Sequence, residues 1–167
     1  MNTNLIVNHN SETTEEEIYF LFESNAIEGV HDQDSLQQAV YAWEYLMAQK
    51  VLDVHAILKT HKILMLHQPL QPDEKGYFRK IPVYVGRREC MPWALIPQAI
   101  ENWCNLAAAD GVDPRHLHVM YEKVHPFVDG NGRTGRMFMN WQLKKQGKPI
   151  ITIKAPERWE YYKWFKN

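Results

Sequence analysis

The chain has 167 residues, of which 45% are hydrophobic and 23% charged, so it carries material for one compact domain with its own core and is not a disordered chain. A formal net charge of -1 excludes bulk electrostatic attraction to nucleic acid or to an anionic membrane. Cys90 and Cys104 are the two cysteines, without ligand spacing, which argues against a zinc site and a disulfide framework; no apolar run approaches the ~18 residues needed to span a bilayer.

Met1–Asn10 has no basic flank followed by an apolar run, so no signal peptide is expected and a cytoplasmic location follows. Thr13 to Phe22 reads as a helix opened by a capping box of Thr13 with Glu16, and Gly29 is a natural stop. Asp34 or Ser35 caps a second helix running to about Gln49, with Leu36, Val40, Trp43 and Met47 on one stripe. Asp53 caps a third helix containing Ile57, Leu58 and Leu64, and Gln68 to Gly76 reads as a loop. Ile81, Val83 and Val85 alternate with Pro82 and Tyr84 before Gly86, the one clear β signal, and suggest a hairpin whose proline restricts it to an edge. Pro97 to Leu106 forms a fourth helix, Pro114 opens a fifth, Gly132 to Lys145 forms a sixth closed by Gly147, and Glu157 to Phe165 a short last one. The expected class is mainly α with one β-hairpin.

Chemistry concentrates in the twelve residues from His125 to Arg136, between the fifth and sixth helices. Gly130 and Gly132 let the backbone approach a ligand just before a helix, whose free N–H groups and dipole favour phosphate. Arg133 and Arg136, three apart, can grip several phosphates. Asp129 is the expected anchor for Mg2+, which binds through one or two carboxylates and substrate phosphates. His125 can take a proton near neutral pH. A calcium loop counted from Asp129 fails, with Thr134 where Gly is wanted and Asn140 where Glu is wanted. A P-loop fails because Arg136 and Met137 stand where Lys and Ser or Thr belong.

The stretch His125-Pro126-Phe127-Val128-Asp129-Gly130-Asn131-Gly132-Arg133-Thr134-Gly135-Arg136 resembles the signature of the Fic family, His-x-Phe-x-(Asp/Glu)-Gly-Asn-Gly-Arg-x-x-Arg, at every specified position. The resemblance implies a Fic-type helical bundle with one β-hairpin flap that moves AMP from ATP to a hydroxyl (Tyr, Thr or Ser) of a target protein. In it His125 would be the general base and Asp129 the magnesium ligand. Gly130, Asn131 and Gly132 would line the anion hole, Arg133 would support the phosphates and Arg136 the γ-phosphate, and Phe127 would anchor the loop. Gly76-Tyr77-Phe78-Arg79 and the hairpin are similar to the family's flap, with Ile81, Pro82 and Val83 expected to clamp the target. Pro149-Ile150-Ile151 and Arg158-Trp159-Glu160-Tyr161-Tyr162 resemble its tail.

Ser24-Asn25-Ala26-Ile27-Glu28-Gly29 is similar to the family's inhibitory motif, (Ser/Thr)-x-x-x-Glu-(Gly/Asn). It implies an N-terminal inhibitory segment, residues 1–33, ahead of a core of residues 34–167, with Ser24 holding the segment and Glu28 competing for Arg136. Partners expected are ATP and a protein with an exposed hydroxyl, but neither nucleic acid nor membrane; homo-oligomerisation stays open. Open too are AMP removal assisted by Glu28, phosphate transfer as in the death-on-curing branch, where a larger residue replaces the anion-hole glycine kept here as Gly132, and a silent nucleotide-binding module. His61, His67, His116 and His118 are expected to be packed or solvated, and Trp43, Trp103 and Trp141 to fill the core.

Overall fold

The computed structural model describes residues 12–166, so the reading of Met1–Asn10 lies outside the described residues. Seven helices form the domain: α1 (Glu15–Ile27), α2 (Gln33–Met47), α3 (Val54–Leu64), α4 (Ile96–Ala107), α5 (Pro114–Val124), α6 (Asn131–Lys145) and α7 (Arg158–Tyr162). Strands β1 (Tyr84–Val85) and β2 (Arg88–Glu89) pair antiparallel, Tyr84 opposite Glu89 and Val85 opposite Arg88.

Caps set most helix starts. Asp53 accepts the Ala56 N–H and opens α3 as expected. The first capping box sits one residue later than expected: Thr14 accepts the Glu17 N–H, and Glu17 accepts the Thr14 N–H at 2.8 Å. Both Thr13 and Thr14 have a glutamate three residues on, so local sequence leaves the frame undecided. The chosen frame buries Glu17 against Lys144 of α6 and lets the Thr13 hydroxyl donate to Glu44 of α2. Similarly, α2 is capped by Asp32, which accepts from both the backbone and the hydroxyl of Ser35, not by Asp34 or Ser35.

The hairpin is shorter than alternation suggested. Ile81, Pro82 and Val83 precede β1; Val83 contributes only its carbonyl, which accepts the Cys90 N–H at 3.0 Å. Proline has no N–H to donate to a ladder, and the strand begins beyond it. The loop before it includes a 3-10 turn at Pro72–Glu74. The expected last helix divides into 3-10 turns at Ala155–Glu157 and Lys163–Phe165 flanking α7.

One apolar core joins α1 to α6. Phe20 and Leu21 of α1 meet Leu36, Val40 and Trp43 of α2, Ile57 and Leu64 of α3, Trp103 of α4, Tyr121 of α5 and Phe138 of α6. Trp43, Trp103 and Trp141 are all buried, as expected. From Arg133 to Leu143 every residue of α6 is buried, so α6 is the central helix. A helix surrounded on all sides takes its orientation from its neighbours, and its N-terminus is thereby held rigidly in place. A second cluster packs Ile27, Met139, Leu143 and Ile153 with Tyr161, which docks the C-terminal segment beside the end of α1. Both cysteines are free and buried, and burial pushes the Cys104 thiol up to about 12. No helix among the described residues is long and apolar enough to cross a membrane.

Candidate active site

The turn between α5 and α6 is held from three directions. Asn131 pins it from within: its Oδ1 accepts the Phe127 N–H and its Nδ2 donates to the Phe127 carbonyl, both at 2.9 Å. His61 of α3 supports it from below, stacked on Phe127 with ring centroids 3.6 Å apart. Its Nδ1 accepts the Gly76 N–H at 2.9 Å and its Nε2 therefore donates to the Asp129 carbonyl at 2.8 Å. That arrangement needs neutral imidazole, and burial lowers the His61 pKa to about 4. Arg79 is the third support. Its N–H donates to the Pro126 carbonyl, and its guanidinium donates to the carbonyls of His125, Ile81 and Met91. It thus ties the segment before the hairpin to the loop.

Gly130 has φ 82°, and a Cβ there would lie 2.8 Å from Met65 Sδ, so this position requires glycine twice over. Gly130 also precedes α6 without offering any side-chain cap. The N–H groups of the first turn of α6 thus have no capping side chain, and an anion can accept them. Arg133, buried in that turn, reaches Asp129 Oδ2 at 3.4 Å and leaves its Nε and Nη1 without partners. Burial lowers its pKa. Two desolvated, unpaired guanidinium donors beside a helix N-terminus suit a multivalent anion.

His125 closes α5 with φ 51°, the one positive φ at a non-glycine among the described residues. This left-handed residue turns the chain out of the helix and sets the imidazole in a cavity of about 440 Å³. Glu28, Glu122, Gly132, Arg136 and Tyr161 share that cavity with it, and Val85, Arg88 and Cys90 form its hairpin side.

Arg136 is 1% exposed and every arm is engaged: Nε donates to Ser24 Oγ at 2.9 Å, Nη2 to Ser24 O at 2.9 Å and to Glu28 Oε1 at 2.7 Å, and Nη1 to the Tyr161 hydroxyl at 3.2 Å. Burial opposes its charge, but Tyr161 and Glu28 more than offset this and raise its pKa. Gly132 lies directly beneath: a Cβ there would strike Glu28 Oε1 and come within 2.9 Å of Arg136 Nη1.

The structure therefore brings His125, Gly132, Arg136, Ser24 and Glu28 together. Gly130, Asn131 and Arg133 form the buried back of the same loop, and the Asn131 side chain is spent on the backbone of Phe127, leaving only its main chain for a ligand. Asp129 does not line the cavity; its side chain is 57% exposed, and its Oδ1 accepts the Gly130 N–H. Ile81 and Pro82 are exposed and Val83 half-buried, and none of the three lines the cavity. Among the described residues no cluster of three or more His, Cys, Asp or Glu could hold a metal.

Sequence placed Arg79 in the flap-like segment, Tyr161 in the tail-like one and His61 as packed or solvated, but gave none of them, nor Glu122, a part in the site. His61 and Arg79 reach the site across 68 and 46 residues and Tyr161 across 25, whereas Glu122 lies one helical turn before His125, a spacing that the i, i+3 rule could have flagged. His118, expected to be packed or solvated, is buried and bonded to the Tyr161 hydroxyl at 2.7 Å.

Fold and site define a mainly helical domain with a glycine loop at a buried helix N-terminus and a short hairpin beside it. The sequence model of the Fic/DOC family matches residues 51–143, and the chain belongs to that family. It is 35% identical over 138 residues to the protein adenylyltransferase Fic of Drosophila grimshawi, covering 75% of this chain and 28% of that one. The relative of the same name from Drosophila melanogaster is 35% identical over 130 residues, 72% of this chain and 26% of that one. The chain thus spans little more than a quarter of these relatives. Among solved structures, Fic-1 (residues 134–508) from C. elegans superposes with a TM-score of 0.72 at 19% identity, covering 95% of this chain and 58% of that one. A Fic domain containing signaling protein from Bacteroides thetaiotaomicron gives 0.74 at 17% identity over 87% of this chain and 69% of that one. At those identities the structures speak for the fold alone.

Proposed function

We propose that the chain transfers AMP from ATP to a hydroxyl side chain of a protein and that its own first helix restrains it. The observation that carries the reading is the shared cavity in which His125, the uncapped start of α6 at Gly132 and the Arg136 guanidinium converge. The hydroxyl oxygen of a target Ser, Thr or Tyr attacks the α-phosphorus. His125 takes the hydroxyl proton, the bond to the bridging oxygen breaks, and pyrophosphate leaves while AMP stays esterified to the target. Main-chain N–H groups of Asn131 and Gly132 and the free donors of Arg133 stabilise the charge that develops on the phosphates. Asp129, with its exposed carboxylate, fits a magnesium ion completed by substrate phosphates and not by a protein cage, an ion that would neutralise phosphate charge. The hairpin would present the target through its free edge and the exposed Ile81 and Pro82 with Val83. ATP as co-substrate favours a cytoplasmic setting.

Restraint comes from residues up to 33 acting on the core of residues 34–167. Ser24 and Glu28 occupy the arms of Arg136 on which a γ-phosphate would depend. Phosphate transfer is disfavoured because this chain keeps glycine at Gly132, where that branch carries a larger residue. AMP removal is the second reading, supported by the Glu28 carboxylate lying in the same cavity as His125.

The test is incubation with α-labelled ATP, magnesium and a cell lysate. Glu28→Gly should raise labelling of proteins, including this one, by about tenfold or more, the scale of losing one charge-assisted bond. His125→Ala should abolish it. An unchanged rate for Glu28→Gly removes the restraint, and a mass increment of phosphate on the target overturns AMP transfer. Release of label from a modified target by the unsubstituted protein would establish the second reading.

A further inference from the structure

We infer that Glu122 is the positioning residue of the base: its carboxylate receives the Nδ1–H of His125 and thereby turns the Nε2 lone pair toward the target hydroxyl. The inference rests on the AMP-transfer reading for its chemistry, but its geometry stands by itself.

The main chain at His125 is fully committed. Its N–H donates to the Tyr121 carbonyl at 3.0 Å, its carbonyl accepts from Arg79 Nε at 2.8 Å, and its φ is left-handed. A left-handed non-glycine costs about 1–2 kcal/mol and persists only where its surroundings over-determine it. These contacts fix where the side chain starts, not how the ring is turned or which nitrogen carries the proton. Glu122, one turn earlier on α5, is the acceptor within reach: its Oε2 lies 3.5 Å from His125 Nδ1, and both side chains are largely buried in the cavity. His125 Nδ1 is buried and has no other partner. The distance is slightly long for a hydrogen bond, as catalytic contacts commonly are before substrate binds.

Glu122 is itself prepared for that task. Tyr161 accepts from Arg136 Nη1 and can give its own proton to His118 Nε2, in which case the proton of the neutral His118 ring sits on Nδ1. Burial lowers the His118 pKa to about 4, which keeps that ring neutral. His118 Nδ1 and Glu122 Oε1, both buried and unpartnered, border the same small space over Gly135, lying 2.8 and 3.0 Å from where a Cβ would sit. The groups facing Glu122 are thus His118 and His125 of α5, Arg136 of α6 and Tyr161 of α7, with Glu28, Lys123, Arg88 and Cys90 elsewhere on the cavity wall. Burial works against ionisation of Glu122. The bond to His125 and the charge of Arg136 work the other way and its pKa is lowered, so a carboxylate stands ready at Nδ1. A carboxylate there selects the tautomer a base requires and stabilises the imidazolium formed when the proton is taken.

The test uses the full chain with Glu28→Gly and two readouts. Nitrogen-resolved NMR of the His125 ring should show the Nδ1–H tautomer when Glu122 is present and the Nε2–H tautomer in Glu122→Ala. In the labelled-ATP assay, Glu122→Gln should lower kcat by about tenfold or more, with KM for ATP and Tm nearly unchanged. The acid limb of its pH–rate profile should move to lower pH, because loss of the carboxylate removes stabilisation of the imidazolium. Glu122→Asp should recover part of the rate. An Nε2–H ring in the presence of Glu122, or a Glu122→Gln protein with unaltered kcat and pH profile, overturns the inference. The tautomer measurement needs no turnover, so it distinguishes failure here from failure of AMP transfer, which His125→Ala tests separately.

Discussion

At Gly132 the absence of one methyl group permits three things at once. It leaves room for Glu28 Oε1 and Arg136 Nη1 and opens the start of α6 to an anion. Its φ is not positive, so alanine is acceptable to the backbone and improves helix propensity by about 1 kcal/mol. The expected result for Gly132→Ala, made in the Glu28→Gly protein, is a Tm slightly lowered, because crowding of the buried Arg136 Nη1 at 2.9 Å outweighs that gain, with ATP affinity weakened by about tenfold or more, read by calorimetry. ATP binding as tight as before would show that no phosphate approaches that turn. Gly130 differs, because its left-handed φ and its contact with Met65 make it a requirement of the loop itself.

Among the elements, α1 is the one on whose stability the proposed restraint would depend. Its N-terminal end is secured by the Thr14–Glu17 capping box and by Lys144, and its C-terminal end delivers Ser24 and Glu28 to Arg136. Thr14→Ala should remove about 1 kcal/mol of helix stability. If fraying of α1 releases Arg136, basal AMP transfer rises several-fold, while in the Glu28→Gly background the same change does nothing; equal effects in both backgrounds would mean that Thr14 acts elsewhere. The opposite case is α6, whose buried circumference allows no such adjustment. The contrast is between a peripheral helix free to yield and a central one that holds the loop between α5 and α6 still.

Across the whole molecule, buried neutral histidines couple the fold to pH. His61 and His118 have pKa values lowered to about 4, below the ~6.5 of an unfolded chain. The unfolded state therefore binds more protons between those values, and stability is lost as pH falls from about 6.5 toward about 4, by on the order of 3 kcal/mol per histidine. Thermal melts should show Tm falling through that window and level above it. A Tm flat from pH 7 to pH 4 would mean that neither ring is buried neutral in solution. Because His61 supports the turn between α5 and α6 through the Asp129 carbonyl, the loop and the fold should lose order together.

What sequence alone determined is local: the helices with clear caps, the mainly α class, and the glycine turn within His125 to Arg136 that leads into α6 and on which the proposed anion site rests. Such features follow from contacts within a turn or two of chain. The pairing of Glu28 with Arg136, 108 residues apart, was named through family resemblance and not from spacing. Tertiary structure decided the rest. It selected Thr14 over Thr13 by pairing Glu17 with Lys144, cut the hairpin to two residues a strand, and gave Asn131 to the Phe127 backbone. It also brought His61, Arg79 and Tyr161 under and around the loop. The physical reason is that a buried polar atom must find a partner wherever the packing of the helices places one, and that placement is a property of the whole core, not of any stretch of sequence.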